Sequence, residues 1–197
     1  LNPPLSLLFA TNNAHKLSEV RSILGPDFQV LSLADVGFNE EVPETQDTIE
    51  GNAEQKARYV FEGQGMPVLA DDSGLEVNAL DGEPGVRSAR YAGVHGNSAE
   101  NIRLLLKKLE GIEDRSARFK CVLAYIDDAG HLHLFQGIVN GTLLTETRGK
   151  GGFGYDPIFV PEGYTQTFAE MADEEKNAIS HRARALQKFT EFLKTRA

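Results

Sequence analysis

The chain has 197 residues, 41% hydrophobic and 25% charged, the make-up of an ordinary globular protein long enough for one large domain or two small lobes. Its 29 acidic residues outnumber 20 basic ones, giving a net charge of −9; this disfavours a protein that coats nucleic acid, and any site for an anion must be made locally positive by Lys, Arg or a divalent cation. Cys121 is the single cysteine, which excludes an internal disulfide and a cysteine zinc site and fits a reducing, cytoplasmic setting; no apolar run approaches the roughly 20 residues of a membrane span, and no stretch reads as a signal peptide.

In chain order, Leu5–Ala10 reads as a buried strand that stops at Thr11, and a helix follows over Lys16–Leu24 with Leu17, Val20 and Leu24 on one face until Gly25-Pro26 ends it. Phe28–Leu33 is strand-like. Thr48–Glu62 is predicted helical, with Ile49, Ala53, Ala57 and Val60 in a stripe. Pro67–Ala70 and Glu76–Leu80 read as two short strands separated by Asp71-Asp72-Ser73-Gly74, a turn-like sequence. A helix capped by Ser98 carries Ile102, Leu105, Leu106 and Leu109 inward. Ala117–Ile126 and His131–Val139 flank Asp127-Asp128-Ala129-Gly130 and read as a hairpin. Leu143–Thr147 and Pro157–Val160 are further strands, and Ser180–Leu193 is a last amphipathic helix with Ala183, Leu186, Phe189 and Leu193 inward. Helices alternate with strands early and antiparallel pairing enters later, which predicts an α/β protein with a mixed sheet.

Five stretches concentrate chemistry. Thr11-Asn12-Asn13-Ala14-His15-Lys16 joins a strand to a helix. Asn and Thr end strands and cap helices everywhere, yet amides of a first helical turn beside a Lys also suit a phosphate. Asp71-Asp72 sets adjacent carboxylates after an apolar strand, which calls either for a hydrated turn or for a cation such as magnesium. Ser73 is a poor nucleophile candidate, because Asp71 and Leu75 stand where a nucleophile elbow needs Gly. Glu44 competes with Glu40, Glu41 and Glu50 as a further metal ligand, and Asn52 and Lys56 share one helix face that either lines a site or meets water.

The Gly-rich stretch Gly149–Gly154 formally fits Gly-x-Gly-x-x-Gly. No helix is expected after it to receive a pyrophosphate, and Gly149-Lys150 lacks the following Ser or Thr of a phosphate-binding P-loop. It is either a connector with core aromatics or a nucleobase platform, in which Phe153 and Tyr155 offer rings and Asp156 an acceptor. Finally, His181 and Arg182 fall in the first turn of the last helix, where the helix dipole disfavours cations. Such local conflicts often mark sites.

Taken in order, Thr11–Lys16, Asn52-Ala53 with Lys56-Ala57, Ala70–Leu75, Pro84-Gly85-Val86 with Ser88-Ala89-Arg90-Tyr91, Gly152–Pro157 and Ser180-His181-Arg182 closely resemble the inosine/xanthosine triphosphate pyrophosphatase family. The resemblance runs from about Phe9 to about Leu186. It implies a long twisted mixed sheet flanked by helices, two lobes with an active-site cleft between them, a homodimer, and magnesium-dependent hydrolysis of deaminated purine nucleoside triphosphates to the monophosphate and pyrophosphate. By position, it implies that Thr11, Asn13 and Lys16 hold the phosphates with the charge of Lys56 nearby, and that Asn12, Ala14 and His15 of the same segment also bind substrate, the Asn12 side chain pointing away from phosphate. Asp72 would be the general base or would hold Mg2+, with Asp71 and Glu44 helping the metal, and Ser73 would touch substrate. Phe153 would stack on the base in a pocket lined by Gly154, Tyr155 and Asp156, and Lys176, His181 and Arg182 would read the base edge and sugar side. Two departures stand out: Asn12 where many members carry Gly, and Gly51 where many carry Glu. The second removes one carboxylate and leaves Glu44 as the better candidate. A pyrophosphatase of modified pyrimidine or ordinary nucleotides, and a non-catalytic nucleotide-binding regulator, are the competing readings.

Overall fold

The computed structural model describes residues 4–196. The first apolar run forms β1 (Leu5–Phe9), and α1 (Ala14–Leu24) follows with Asn13 as its cap, the Asn13 side chain accepting from the Lys16 amide. β2 (Phe28–Leu31) returns parallel to β1. α2 (Ile49–Gln64) is capped by Thr48 and buries Ile49, Ala53, Ala57 and Val60, the stripe its spacing predicts. Beyond it lie β3 (Val68–Val77), α3 (Ser98–Lys108), β4 (Ser116–Ile126), β5 (Leu132–Leu143), β6 (Phe159–Pro161), α4 (Asp173–Ile179) and α5 (His181–Lys194).

The strands form one six-stranded sheet in the order β2-β1-β3-β4-β5-β6. β1 pairs parallel with β2 and β3, and β6 pairs antiparallel with β5, so the sheet is mixed, as expected of the α/β class. The Asp127–Gly130 turn joins β4 and β5, closed by Asp127 N–H to His131 O at 3.1 Å and Gly130 N–H to Asp127 O at 2.9 Å. Among the described residues no helix is long and apolar enough to cross a membrane.

Four expectations change. Asp71–Gly74 do not turn: β3 runs unbroken through them for ten residues, because both carboxylates meet buried cations within the fold. Leu143 is the last residue of β5 rather than the first of a new strand. Asp156–Ile158 form a single 3-10 turn before β6. Asn97, not Ser98, caps α3, its side chain accepting from the Glu100 amide.

The chain divides into two compact units. One is drawn from the chain up to Asp72, from Cys121–Gly137 and from Arg182 onward. Its core gathers Leu7, Phe9, Val20, Leu69, Leu123, Ala185, Leu186 and Phe189. The other is drawn from Ser73–Lys120 and Ile138–His181, and its core gathers Leu75, Leu105, Phe119, Val139, Ile158, Phe159 and Phe168. β3, β4 and β5 each give residues to both units.

Candidate active site

In the first unit the end of β1, the start of α1, one face of α2, the middle of β3 and the second residue of α5 bring charged groups together. Lys16, in the first turn of α1, reaches Asp71 Oδ1 at 3.3 Å. Arg182 grips Asp71 Oδ2 through Nε at 3.1 Å and Nη2 at 3.0 Å, and its Nη1 pairs with Glu19. Lys56, on the buried face of α2, lies 2.7 Å from Glu44 Oε1 and 3.7 Å from Asp72 Oδ1. Lys16, Lys56, Glu44, Asp71, Asp72 and Arg182, six residues singled out by sequence, therefore belong to one network. Glu19 was not singled out: it lies on a helix dense in charge, and only the fold shows that it faces Arg182.

The two neighbouring aspartates differ sharply. Burial alone would raise Asp71, but Lys16, Arg182 and Lys56 more than offset it and hold the carboxyl well below the usual carboxylate range. Asp72 goes the other way. Burial pushes its carboxyl up, Lys56 and Lys16 only partly oppose that, and Glu44 and Asp71 add to it. Among the described residues, Asp72 Oδ2 is buried without a hydrogen-bond partner. Lys56 is buried too, which disfavours its charge, yet the carboxylates of Asp72, Asp71 and Glu44 raise it above its ordinary value, so it stays an ammonium.

The phosphate-loop expectation has a local counterpart. Thr11 Oγ1 accepts from the Asn13 amide at 3.1 Å, and Asn13 Oδ1 accepts from the Lys16 amide at 3.1 Å. The segment is fixed by its own side chains and opens a helix that carries Lys16 in its first turn, the setting in which a helix N-terminus suits an anion. Asn12 and His15 are exposed, and Thr11 and Ala14 lie in the same segment.

A metal was expected on Asp72, Glu44 and Asp71. Within this structure Asp71 is engaged by cations, Lys16 at one of its oxygens and Arg182 at the other. Among the described residues no group of three or more His, Cys, Asp or Glu side chains is gathered to hold a metal ion. The unpartnered Asp72 Oδ2 and the carboxylate of Glu44 remain. Magnesium is commonly held by one or two carboxylates together with water and substrate phosphates, and this donor set fits that habit rather than an all-protein cage.

The second unit assembles a different group. Asp156 is buried, and its Oδ2 accepts from the Phe153 amide at 3.0 Å and from Lys176 Nζ at 2.6 Å. Lys176 Nζ lies 4.8 Å from the centre of the Phe153 ring, so ammonium, carboxylate and ring are locked together. Gly152 is required here: its φ is +63°, and a Cβ would meet Asp156 Oδ2 at 2.1 Å. Phe153 and Gly154 remain partly exposed.

Of the two readings left open for the Tyr155 ring, the structure has the core one. It is buried and packed in the core, and its hydroxyl donates to Ser88 O at 2.7 Å. Asp156 likewise serves Phe153 and Lys176 rather than presenting an open acceptor. His181 stacks on Phe119 with ring centres 4.7 Å apart and planes 11° from parallel. Arg182, expected beside it at a base edge, has its guanidinium committed to Asp71 and Glu19 in the first unit. Ser73 is the first residue of the second unit and is interior to β3.

In class, this is a mixed-sheet α/β protein whose buried carboxylates and ammonium groups suit a multiply charged anion. The chain matches the Ham1 family over residues 7–192. A dITP/XTP pyrophosphatase of Porphyromonas gingivalis is 52% identical over 188 residues, 95% of this chain and 96% of that protein. The Ham1 protein of Staphylococcus aureus superposes with a TM-score of 0.88 at 38% identity, over 98% of this chain and 100% of that one. A nucleoside-triphosphatase, or dITP/XTP pyrophosphatase, of Mycobacterium abscessus does so with a TM-score of 0.76 at 44% identity, over 94% and 98%. The chain belongs to the Ham1 family.

Proposed function

We propose that this protein is a dITP/XTP pyrophosphatase that removes deaminated purine nucleoside triphosphates from the nucleotide pool. One observation carries the reading beyond family membership. In a Ham1 protein, Asp72 is a carboxylate made more basic by burial, with one oxygen uncommitted, beside the Lys56 ammonium. Such a group suits proton abstraction better than an ordinary aspartate does.

In this reading Lys16, Lys56 and the amides of the Thr11–Lys16 segment hold the triphosphate. Asp72 takes a proton from water, whose oxygen bonds to the α-phosphorus. The bond from that phosphorus to the α–β bridging oxygen breaks, and pyrophosphate departs with the electron pair, leaving the monophosphate. Asp72 and Glu44 would hold Mg2+, which supplies charge neutralisation for the phosphates and makes bound water more acidic. Asp71 and Arg182 are positioning residues: their mutual grip is buried, and it sets the strand that presents Asp72. Phe153 stacks on the base, a role supported by its partial exposure and by the Lys176–Asp156 pair behind it. Lys176 and His181 supply donors to the purine C6 oxygen, an acceptor in hypoxanthine and xanthine where adenine carries a donor. A homodimer and a cytosolic setting belong to the same proposal, the latter supported by a sequence whose single cysteine, Cys121, is buried.

Pyrophosphate release from ITP, dITP, XTP, GTP, ATP and pyrimidine triphosphates, with Mg2+ and with excess chelator, tests the reading. Pyrophosphate and monophosphate from the deaminated purines in Mg2+ are expected. Nucleoside diphosphate as an obligatory released intermediate, or full turnover in chelator, refutes it.

A further inference from the structure

The approach to α2 is tied down residue by residue. The Thr45 amide donates to Gln55 Oε1 at 2.9 Å, and Gln55 Nε2 donates back to Thr45 Oγ1 at 2.8 Å. The Gln46 amide donates to Asn52 Oδ1 at 2.9 Å. Thr48 then caps the helix, accepting from the Gly51 amide at 3.0 Å. Two side chains of α2, Asn52 and Gln55, thus reach back and hold consecutive backbone amides of the incoming segment. The residue immediately before that segment is Glu44, whose carboxylate meets Lys56 on the same helix.

Gly51 completes the arrangement. A Cβ there would lie 2.9 Å from Gln46 Cβ and 2.9 Å from Thr48 Oγ1. Both approaches are closer than a real Cβ makes, so with the Thr48 and Gln46 conformations of this chain a side chain at 51 requires the Thr48 hydroxyl or the segment at Gln46 to shift. Asn52 adds a second sign of purpose. It is fully buried, and among the described residues its Nδ2 has no hydrogen-bond partner. A position that served packing alone would be better filled by an apolar side chain, which has no buried donor to leave unmet. What Asn52 contributes here is the acceptor that holds Gln46.

We infer that residues 45–48, clamped by Asn52 and Gln55 and seated over Gly51, form a strap that sets the position of Glu44 relative to Lys56 and Asp72. Asn52, Gln55 and Gly51 are therefore positioning residues of the acidic half of the site. The inference rests on the metal-assisted reading above, because Glu44 is there a metal-holding group. It predicts that loosening the strap weakens the divalent cation while leaving the grip on the nucleotide base untouched. It also predicts an unusual sign at Gly51. Alanine is a much better helix former than glycine, so Gly51→Ala favours α2 itself while displacing the strap.

The test uses the full-length protein and Mn2+ as the probe. Mn2+ binding is measured by the loss of the free-ion paramagnetic resonance signal for wild type, Gly51→Ala, Gln55→Ala and Asn52→Ala, alongside thermal melting. Folded Gly51→Ala and Gln55→Ala are each expected to bind Mn2+ about tenfold more weakly, the range seen when outer partners of metal ligands are removed. The Mg2+ concentration for half-maximal pyrophosphate release should rise in parallel, while KM for ITP at saturating Mg2+ stays unchanged. Gln55 is only partly buried, so its variant decides the matter even where Asn52→Ala does not fold. Affinities in both folded variants within about threefold of wild type overturn the inference alone. A wild type that neither binds Mn2+ nor releases pyrophosphate refutes the functional reading, and the inference falls with it.

Discussion

Replacing Arg182 by Met removes a buried cation while keeping roughly its bulk. Asp71 loses two hydrogen bonds at 3.0–3.1 Å and Glu19 loses its ion pair with Arg182, whereas Lys16 remains 3.3 Å from Asp71. Breaking one side of a buried ion pair costs about 3–5 kcal/mol, and the surviving Lys16 contact puts this case toward the lower end. For a chain of this length each kcal/mol moves Tm by about 2–4 °C, so a loss of about 3 kcal/mol lowers Tm by about 6–12 °C. Acid unfolding supplies an independent signature. Asp71 is held below its unfolded value of 3.8, so its contribution is present above about pH 4 and is lost as pH falls through that value and below. Wild type should therefore lose stability more steeply than Arg182→Met on acidification in that range. Adding Asp71→Asn to Arg182→Met should recover part of the loss, because the stranded charge is gone. On substrates, kcat/KM for ITP and ATP should fall together. A folded Arg182→Met with near-normal Tm and a collapsed ITP/ATP ratio would refute this reasoning and return the guanidinium to a base edge.

Asp72→Asn should keep the fold and lower kcat by about 10²–10⁴-fold, measured by pyrophosphate release. Lys16→Ala removes a charge-assisted phosphate contact worth about 1.5–3 kcal/mol, so KM for ITP should rise about 10–150-fold; an unchanged KM returns Lys16 to a purely structural partner of Asp71. Tyr155→Phe deletes the hydrogen bond to Ser88 and should cost about 1 kcal/mol in urea unfolding without changing KM for ITP, whereas a raised KM would put the Tyr155 hydroxyl on the substrate.

The helices were legible because their stripes are local: Ile49, Ala53, Ala57 and Val60 announce α2 without reference to anything else. The hairpin at Asp127–Gly130 was legible for the same reason. β3 was not, since adjacent carboxylates read as a turn until their partners are known, and those partners lie 55 and 111 residues away in Lys16 and Arg182. The same distance hid the division of labour within the site. The resemblance marks Arg182 and Asp156 as important, but side-chain type does not say whether a buried ion touches a ligand or holds another residue in place. α4 escaped detection because seven residues with an acidic first turn carry too little apolar periodicity. The sequence leaves the Tyr155 ring open between core and base platform because exposure is a property of the packed unit, not of the Gly-rich sequence around it.

The interleaving of the two units bears on how the protein is made. The core of the first unit joins Leu7 and Phe9 of the earliest strand to Ala185, Leu186 and Phe189 of the last helix. A ribosome delivers those groups at opposite ends of synthesis. β1 and β2 must wait, with their apolar faces uncovered, while more than a hundred intervening residues are added. The second unit has nearly all of its core in hand once Phe168 and Met171 have emerged, before α5 exists. Closing order and sequence order are thus reversed: the unit that starts first closes last, and until α5 arrives its opening strands are the part of the chain most open to pairing elsewhere.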